Sequence, residues 1–345
     1  MTIVERLWYG DDVGARVARA ALAPAGWLYG AAIGARAWRF DHTANAMTAS
    51  ALPALSLGNI TVGGTGKTPV AAWAAAALEA RGAHPAVLMR SYGDDEPLVH
   101  ARLNPTVPVV VDADRVRGAI RAREGGADCV ILDDGFQHRH IARVSDWVLV
   151  SAERWRNDLR MLPAGPLREP VSALSRADVL LVTRKSAPLP AADVIAQRLR
   201  EQLPTLGIAV CHLAFDAVVN ARTQERQAVS WLSGRRIVAA AAVGDSAAFF
   251  AQLEACGARL DARPYRDHYA FTPADAAVLV AAADRRDGLV CTLKDAVKLA
   301  PLWPANAAPL WYVSQIAVIE RGAAVLDRAL VTVLAARQAV TSTAG

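Results

Sequence analysis

The stretch that decides the fold reads Leu57-Gly58-Asn59-Ile60-Thr61-Val62-Gly63-Gly64-Thr65-Gly66-Lys67-Thr68. It follows an apolar strand predicted at 54–60 and opens a helix predicted at 68–81, the context that a phosphate-binding loop requires. Glycines let backbone N–H groups turn toward phosphates, and the helix N-terminus adds its positive dipole. We therefore expect residues 61–68 to surround the phosphates of a nucleotide. Lys67 would reach the β- and γ-phosphates, and the Thr68 hydroxyl would bind Mg²⁺.

One position in this loop departs from the usual pattern. The strict pattern G-x-x-x-x-G-K-[ST] has glycine where this chain has Thr61. The alternative interpretation is a glycine-rich strand-to-helix turn that binds no ligand. The Gly-Lys-Thr sequence at the start of a helix favours phosphate binding.

A second motif follows another apolar strand, predicted at 129–132. It reads Leu132-Asp133-Asp134-Gly135-Phe136-Gln137-His138. Phosphoryl-transfer enzymes hold their metal ion with carboxylates at the end of a strand beside the phosphate-binding loop. One of Asp133 and Asp134 would bind Mg²⁺ or its water while the other orients the site. The alternative is an ordinary Asp-Gly turn after a buried strand.

The composition of the 345-residue chain limits the class of protein. Hydrophobic residues make up 53% and charged residues 21%, which excludes intrinsic disorder and allows a large core. The net charge of +5 favours anionic partners but is too small and scattered to indicate nucleic acid. The four cysteines lie far apart, which indicates a reducing compartment and no structural zinc.

Short apolar strands alternate with helical stretches from about residue 52, which predicts an α/β fold with a parallel sheet. Strands are expected at 54–60, 84–89, 107–111, 129–132, 147–151 and 179–183. A second, smaller α/β unit is expected to begin near Trp231, with strands at 236–243, 288–292 and 310–313 and a final helix at about 320–340. The predicted domains are an N-terminal helical segment (1–40), a domain with the phosphate-binding loop (41–225) and the smaller α/β domain (226–345).

The N-terminal segment contains an uncharged run at 20–35 that is too short and too rich in glycine to span a membrane. Acidic residues precede the run and no convincing cleavage site follows it, so no signal peptide is expected. Aromatic side chains flanked by arginines are typical of a helix at a membrane surface. These aromatic residues are Trp8, Tyr9, Trp27, Tyr29 and Trp38. The alternative is a helix that caps the domain core.

Together the two motifs closely resemble the tetraacyldisaccharide 4'-kinase family, and the resemblance extends along most of the chain. Further similar segments are Asp94-Asp95-Glu96-Pro97-Leu98, the proline-rich loop 162–170, Asp267-His268 and Lys294-Asp295-Ala296-Val297-Lys298. Enzymes of this family phosphorylate the disaccharide precursor of lipid A in Gram-negative bacteria. The resemblance implies transfer of the γ-phosphate of ATP, with Mg²⁺, to the 4'-hydroxyl of a tetraacylated glucosamine disaccharide 1-phosphate.

The resemblance also implies roles for single residues. Asp95 is implied as the catalytic base, assisted by His268, and Lys67 as the catalytic lysine. This chain has Asp94 where the family has glycine, so Asp94 is a second candidate for the base. The implied metal ligands are Thr68, Asp133, Asp134 and Glu96. The implied substrate contacts are Gln137, Arg168 and Glu169.

Recognition of the acceptor is a further expectation. Guanidinium groups bind phosphate oxygens well, so an arginine cluster near the proline-rich loop could receive the 1-phosphate, or it could form a solvated basic face. The cluster consists of Arg154, Arg156, Arg160 and Arg168. The resemblance implies a peripheral or monotopic protein on the cytoplasmic face of the bacterial inner membrane. The expected partners are the lipid-linked disaccharide and the membrane surface, with no nucleic acid and no obligate protein partner.

Two other classes of protein remain as alternatives. A regulatory or metal-insertion NTPase would carry a similar loop and similar carboxylates. Guanine-specific switches usually have Asn-Lys-x-Asp after a late strand, where this chain has Thr183-Arg184-Lys185-Ser186, and this counts against a GTPase but not against an ATPase. A soluble small-molecule kinase would have no use for the aromatic N-terminus.

Overall fold

The computed structural model describes residues 3–44, 46–90 and 95–342. Within these ranges the α-helices are α1 (Ile3–Tyr9), α2 (Val13–Asp41), α3 (Lys67–Glu79), α4 (Asp95–Leu103), α5 (Arg115–Glu124), α6 (Leu189–Gln202), α7 (Ser246–Ala255), α8 (Pro273–Ala283), α9 (Leu293–Leu299) and α10 (Ala323–Ser342). The β-strands are β1 (Ala54–Asn59), β2 (Pro85–Met89), β3 (Val109–Val111), β4 (Cys129–Asp133), β5 (Ser145–Ser151), β6 (Val179–Arg184), β7 (Gly207–Asn220), β8 (Arg226–Ala228), β9 (Arg236–Ala241), β10 (Arg259–Pro264), β11 (Leu289–Thr292) and β12 (Leu310–Arg321).

All of these strands form one sheet, in the order β10-β9-β11-β12-β7-β6-β5-β1-β4-β2-β3, with β8 paired to β7. The pairs are parallel except β7 with β12 and β7 with β8. β1 lies between β4 and β5, and Leu57 is in register with Asp133 of β4. The carboxyl ends of parallel strands meet at one edge of a sheet, where α/β proteins bind ligands. The fold therefore places the loop after β1 beside the carboxylates after β4.

The first half of the chain, residues 46–206, contains β1 to β6, and several of these strands are covered on both faces. Every residue of β1, β2 and β4 is buried. Neighbouring residues of β6 belong to different cores: Leu181 packs with Leu78 of α3, and Leu180 packs with Leu199 of α6. Strands that are buried on both faces carry continuous apolar runs, which explains why they could be predicted from the sequence.

The structure confirms an α/β fold with a mostly parallel sheet and differs from the prediction at several elements. β7 has no predicted counterpart, and β12 continues past residue 313 to Arg321, so that α10 begins at Ala323. Polar residues such as Ser314 and Gln315 interrupt the apolar pattern of β12. Also absent from the prediction are α4, α5, α8, α9, β8 and β10. The mostly exposed residues of β10 and the arginine-rich sequence of α5 give weak hydrophobic signals.

The second half of the chain, residues 221–309, contains β8 to β11. The strands β7 and β12 join it to the first half, for example where Val313 faces Val218. After β12, α10 packs back on the first half, because Leu326, Leu330 and Val333 lie in the same core as Leu78. The two halves therefore share one continuous sheet. The domain boundaries near residues 40 and 225 stay a prediction.

The helices α1 and α2 form an N-terminal arm, residues 3–41, that packs on the first half. The side chain of Asp12 caps α2 by accepting a hydrogen bond from the N–H of Ala15 at 3.1 Å. Trp8 donates through Nε1 to the carbonyl oxygen of Pro163 at 3.0 Å, and the Tyr29 hydroxyl donates to that of Arg168 at 3.1 Å. The arm thus lies against the proline-rich loop.

The opposite side of the arm exposes large apolar side chains. Trp27 is 75% exposed, Leu28 73% and Trp38 64%. A spacing of 11 residues is close to three helical turns, which puts Trp27 and Trp38 on the same side of α2. In the part of the chain that the structure describes, no helix has both the length and the apolar character needed to cross a membrane.

Candidate active site

The loop between β1 and α3 is shaped by two glycines. Gly63 has a φ of +114° and Gly66 a φ of +84°, backbone conformations that side chains disfavour. Asn59 donates through Nδ2 to the Thr65 hydroxyl at 3.1 Å, which joins the two ends of the loop. Because α3 begins at Lys67, the unpaired N–H groups and the positive end of its dipole face this loop.

The loop is also held from outside through its carbonyl oxygens. The Thr183 hydroxyl donates to the carbonyl oxygen of Thr65 at 2.8 Å, and Lys185 Nζ donates to that of Gly64 at 3.0 Å. Lys185 also lies 3.7 Å from the carboxylate of Asp245 in the second half. The sequence reasoning did not identify Lys185 as a site residue, since its only signal is its position just after a buried strand.

Thr61 occupies the position where the strict pattern has glycine. It forms a β-bridge with Leu167, and the neighbouring N–H of Val62 donates to the carbonyl oxygen of Pro166 at 2.8 Å. A β-branched residue is favourable in such a paired, extended segment. The proline-rich loop therefore explains why this chain does not need glycine at position 61.

Asp133 ends β4 and is buried. Its Oδ2 accepts a hydrogen bond from His100 Nε2 at 2.9 Å, while its Oδ1 is buried without a hydrogen-bond partner among the described residues. Burial alone would raise the pKa of this carboxyl, but the His100 hydrogen bond and the charge of Lys67 lower that pKa below its usual value. Asp133 is therefore ionised at neutral pH and has one oxygen available for a ligand.

Asp134 lies between two cations. Its carboxylate is 3.3 Å from Lys67 Nζ and 3.2 Å from the Arg168 guanidinium. Burial acts to raise the pKa of this carboxyl, but the two positive charges lower it overall. Asp134 has a φ of +52°, which is uncommon for a residue with a side chain and is typical of functional sites.

Gln137 and His138 follow the two aspartates and line the cavity that the phosphate-binding loop also borders. Gln137 donates through Nε2 to the carbonyl oxygen of Asn59 at 2.8 Å, which joins this turn to β1. Burial and the nearby charge of Arg115 lower the pKa of His138 to about 4, so His138 is neutral at pH 7.

Asp95, the implied base, and Glu96, an implied metal ligand, lie at the start of α4 and contact two lysines of α9. Asp95 lies 3.2 Å from Lys298 Nζ, and Glu96 lies 3.2 Å from Lys294 Nζ. Lys294 Nζ is also 3.1 Å from His268 Nε2. These contacts bring Glu96 and His268 to the same lysine.

Of the two candidates for the base, Asp95 and Asp94, the structure describes only Asp95. Glu96 and His268 line the cavity, whereas Asp95 is not among its lining residues in the described part of the chain. The other candidate, Asp94, lies outside the described residues.

Of the four arginines near the proline-rich loop, only Arg168 lines the cavity within the described ranges. Arg154 lies 2.7 Å from Glu5 and 3.6 Å from Asp245, and Arg156 lies 2.9 Å from Asp11. Arg160 contacts the main-chain oxygen of Arg19 at 3.4 Å. The side chains of three of these arginines therefore contact the N-terminal arm, whereas Arg168 contacts the arm only through its main-chain oxygen, which accepts from Tyr29.

Glu169 follows Arg168 and is buried. One carboxylate oxygen lies 2.6 Å from the Arg176 guanidinium, and the other is buried without a hydrogen-bond partner among the described residues. Glu169 lines the cavity. The unpaired oxygen can therefore accept a hydrogen bond from a ligand.

The phosphate-binding loop, the two aspartates at the end of β4, Arg168 and Glu169 line one cavity of about 900 Å³. Its lining comes from the N-terminal arm, the first half and the second half. Tyr29 and Phe40 come from the arm, and Asp245 and His268 come from the second half. The first half contributes Gly66, Thr68 and Asp134. The halves meet over the loop, since a Cβ atom on Gly244 would lie 3.1 Å from the backbone nitrogen of Gly64. The cavity therefore lies between the two halves, next to the phosphate-binding loop.

Comparison with known proteins assigns the chain to a family. The model of the family described as tetraacyldisaccharide-1-P 4'-kinase matches residues 18–335. The tetraacyldisaccharide 4'-kinase of Anaeromyxobacter dehalogenans (strain 2CP-C) is 34% identical, and the match covers 96% of this chain and 95% of the relative. The Halorhodospira halophila enzyme of the same name is also 34% identical, with 90% of each chain covered.

A solved structure is similar in fold. The crystal structure of LpxK from Aquifex aeolicus in complex with ATP has a TM-score of 0.69 and 25% sequence identity. The match covers 91% of this chain and 99% of that chain. Both the site and the comparisons lead to one conclusion: this chain belongs to the tetraacyldisaccharide-1-P 4'-kinase family.

Proposed function

We propose that the protein uses this cavity to transfer the γ-phosphate of ATP to the 4'-hydroxyl of a tetraacylated glucosamine disaccharide 1-phosphate. This reaction is a step of lipid A biosynthesis. The observation that carries the proposal is a phosphate-binding loop facing two adjacent carboxylates in a member of this kinase family. ATP as the donor is supported by the ATP complex of the Aquifex aeolicus protein.

The triphosphate binds along the loop and the start of α3. Backbone N–H groups of the loop and the dipole of α3 stabilise its negative charge. Lys67 Nζ is held 3.3 Å from Asp134, and in the complex it contacts the phosphoryl oxygens on which charge develops. We therefore expect transfer to depend strongly on Lys67.

The residues present fit a magnesium ion that is shared with the nucleotide. Among the described residues, no group of three or more His, Cys, Asp or Glu could form a complete metal site. Mg²⁺ is usually bound by one or two carboxylates together with phosphates and waters, so this sparse set is appropriate. Asp133, with its unpaired Oδ1, and Thr68 would hold it, and Asp134 and Glu96 line the same cavity. When bound, it would neutralise charge on the β- and γ-phosphates.

Proton removal from the 4'-hydroxyl is assigned to Asp95, with His268 assisting. A base must come within hydrogen-bond distance of the hydroxyl, although such contacts often form only when substrate is bound. Asp95 pairs with Lys298 and is not among the described residues that line the cavity, so it would reach the acceptor only after a local rearrangement. His268 already lines the cavity beside Lys294.

The acceptor binds on the side of the cavity that the proline-rich loop and the N-terminal arm share. Arg168 and Glu169 of that loop line the cavity, as does Gln137 of the turn after β4, and they offer a cation, a carboxylate and an amide to the sugar and its phosphate. The exposed tryptophans of α2 would lie at the cytoplasmic surface of the inner membrane, so the acyl chains can stay in the bilayer. The partners are then the lipid-linked disaccharide and the membrane surface.

The experiment that tests this function measures ³²P transfer from γ-labelled ATP to tetraacyldisaccharide 1-phosphate in detergent micelles. We expect labelled lipid from the wild type. Lys67→Ala should reduce transfer by about 10²-fold or more, because a donor to developing phosphoryl charge is removed. The matched control is Arg226→Ala, whose exposed ion pair with Asp216 contributes little, so transfer should stay at the wild-type rate.

ATP hydrolysis that is indifferent to the lipid, with no labelled lipid formed, would contradict the kinase function. Such a result would favour the second candidate, a regulatory or metal-insertion NTPase, since that class shares the loop and the carboxylates.

A further inference from the structure

One buried contact joins helix α4 to the carboxylate of Asp133. His100 Nε2 lies 2.9 Å from Asp133 Oδ2, and the two side chains are only 2% and 10% exposed. An ionised carboxylate can only accept hydrogen bonds, so Nε2 carries the hydrogen and donates it. The charged acceptor and the burial of both side chains make this a strong, directional hydrogen bond.

This hydrogen bond determines which oxygen of Asp133 remains available. The Arg115 guanidinium donates to the main-chain oxygen of Asp133 at 2.8 Å and so holds the backbone of the residue. His100 holds Oδ2, and Oδ1 is left buried without a hydrogen-bond partner in the described part of the chain. Without His100, the carboxylate could rotate about its side-chain bonds and present either oxygen to the cavity.

The helix that carries His100 also contacts the second half of the molecule. Val99 is 7% exposed and lies in the same core as Leu279 and Leu299. At the start of α4, Asp95 pairs with Lys298 of α9. One face of α4 is thus fixed to the second half, while His100 reaches the end of β4 in the first half.

We propose that His100 is a positioning residue, which orients Asp133 toward the metal–nucleotide complex and couples that orientation to the placement of α4. The inference rests on the proposed function, because it takes Asp133 as a ligand of the metal. Residues that hydrogen-bond to metal ligands fix the geometry of those ligands, and their loss typically costs about 10- to 100-fold in metal affinity or activity.

Three substitutions of the full-length protein test this role. His100→Gln places an amide N–H near the position of Nε2 and keeps the donor, whereas His100→Asn is polar but too short to reach Asp133. His100→Leu removes the donor and keeps an apolar side chain. The measurement is the dissociation constant of Mn²⁺ from the enzyme–ADP complex, followed by electron paramagnetic resonance. The Mg²⁺ concentration for half-maximal lipid phosphorylation is measured in parallel.

We expect His100→Gln to stay within about threefold of the wild type for both quantities. His100→Asn and His100→Leu should raise both by about 10- to 100-fold. A matched control is Asn104→Leu, which removes a side-chain hydrogen bond from the end of the same helix, the one to the carbonyl oxygen of Ala72 at 2.7 Å. This control should lower stability without changing Mn²⁺ binding.

Equal Mn²⁺ binding in the Gln and Asn variants would overturn the proposal, and that comparison remains decisive if His100→Leu does not fold. A loss of Mn²⁺ binding in Asn104→Leu that matched the loss in His100→Asn would also overturn it, because the effect would then come from general damage to α4. A wild type that forms no phosphorylated lipid would contradict the proposed function, whereas the Mn²⁺ comparison would still decide the role of His100.

Discussion

Gly66, the last residue of the phosphate-binding loop, combines a left-handed backbone with a close packing contact. Its φ is +84°, and a Cβ atom there would lie 2.2 Å from Cδ1 of the buried Leu213. Gly66→Ala should cost about 1 kcal/mol for the backbone and a further ~1–3 kcal/mol for overpacking. We expect the urea midpoint of unfolding to fall and ATP affinity, measured by calorimetry, to drop sharply.

A matched control separates the cost of the left-handed backbone conformation from the cost of the packing contact. Gly82 has a similar φ of +78°, and a Cβ atom there would meet no atom within 4 Å. Gly82→Ala should therefore cost only about 1 kcal/mol and leave ATP affinity unchanged. Equal losses of stability in the two variants would show that the contact with Leu213 contributes nothing.

Among the secondary structure elements, α2 has two different sides. One side lies against the proline-rich loop through Tyr29, and the other exposes Trp27 and Trp38. Burying a large apolar side chain contributes on the order of 2 kcal/mol. The double substitution of Trp27 and Trp38 by serine should therefore weaken binding to phosphatidylglycerol-containing vesicles by more than about tenfold. Co-sedimentation measures the effect.

The control for vesicle binding is Val278→Ser, which removes an exposed apolar side chain on α8, far along the chain from the arm. It should sediment with vesicles as the wild type does. Unchanged binding of the double tryptophan variant would contradict the membrane role of α2 and leave only its packing role on the domain.

At the scale of the whole molecule, the continuous sheet and α10 link the two halves. Leu330 of α10 is fully buried in the first-half core, although the chain reaches it only after leaving the second half. Leu330→Ala should cost about 2–5 kcal/mol in the free energy of unfolding. Because β7 and β12 join the halves, hydrogen exchange should become faster in both β4 and β9.

The neighbouring residue supplies the control for this prediction. Val331 is 58% exposed, so Val331→Ala should change the free energy of unfolding by no more than about 0.5 kcal/mol. Faster exchange in β4 alone after Leu330→Ala would show that the halves unfold independently, as two separate domains would.

Local sequence was enough to predict the elements that carry their own signal. The loop at 57–68 predicts its strand, its glycines and its helix because turn chemistry and apolar runs act over a few residues. The same holds for the strand that ends in Asp133. It does not hold for β7, whose partner β12 lies far along the chain and whose burial changes along its length.

The sequence by itself determined the α/β fold, the phosphate-binding loop and the paired carboxylates, and through the ordered set of motifs it determined the family. Only the tertiary structure decided that His100 holds Asp133, that Lys185 holds the loop at Gly64, and that one sheet joins both halves. Hydrogen bonds such as that from Lys185 to Gly64 connect residues 121 positions apart. No local pattern encodes such a contact, because it depends on where the packing of the whole sheet brings the two side chains.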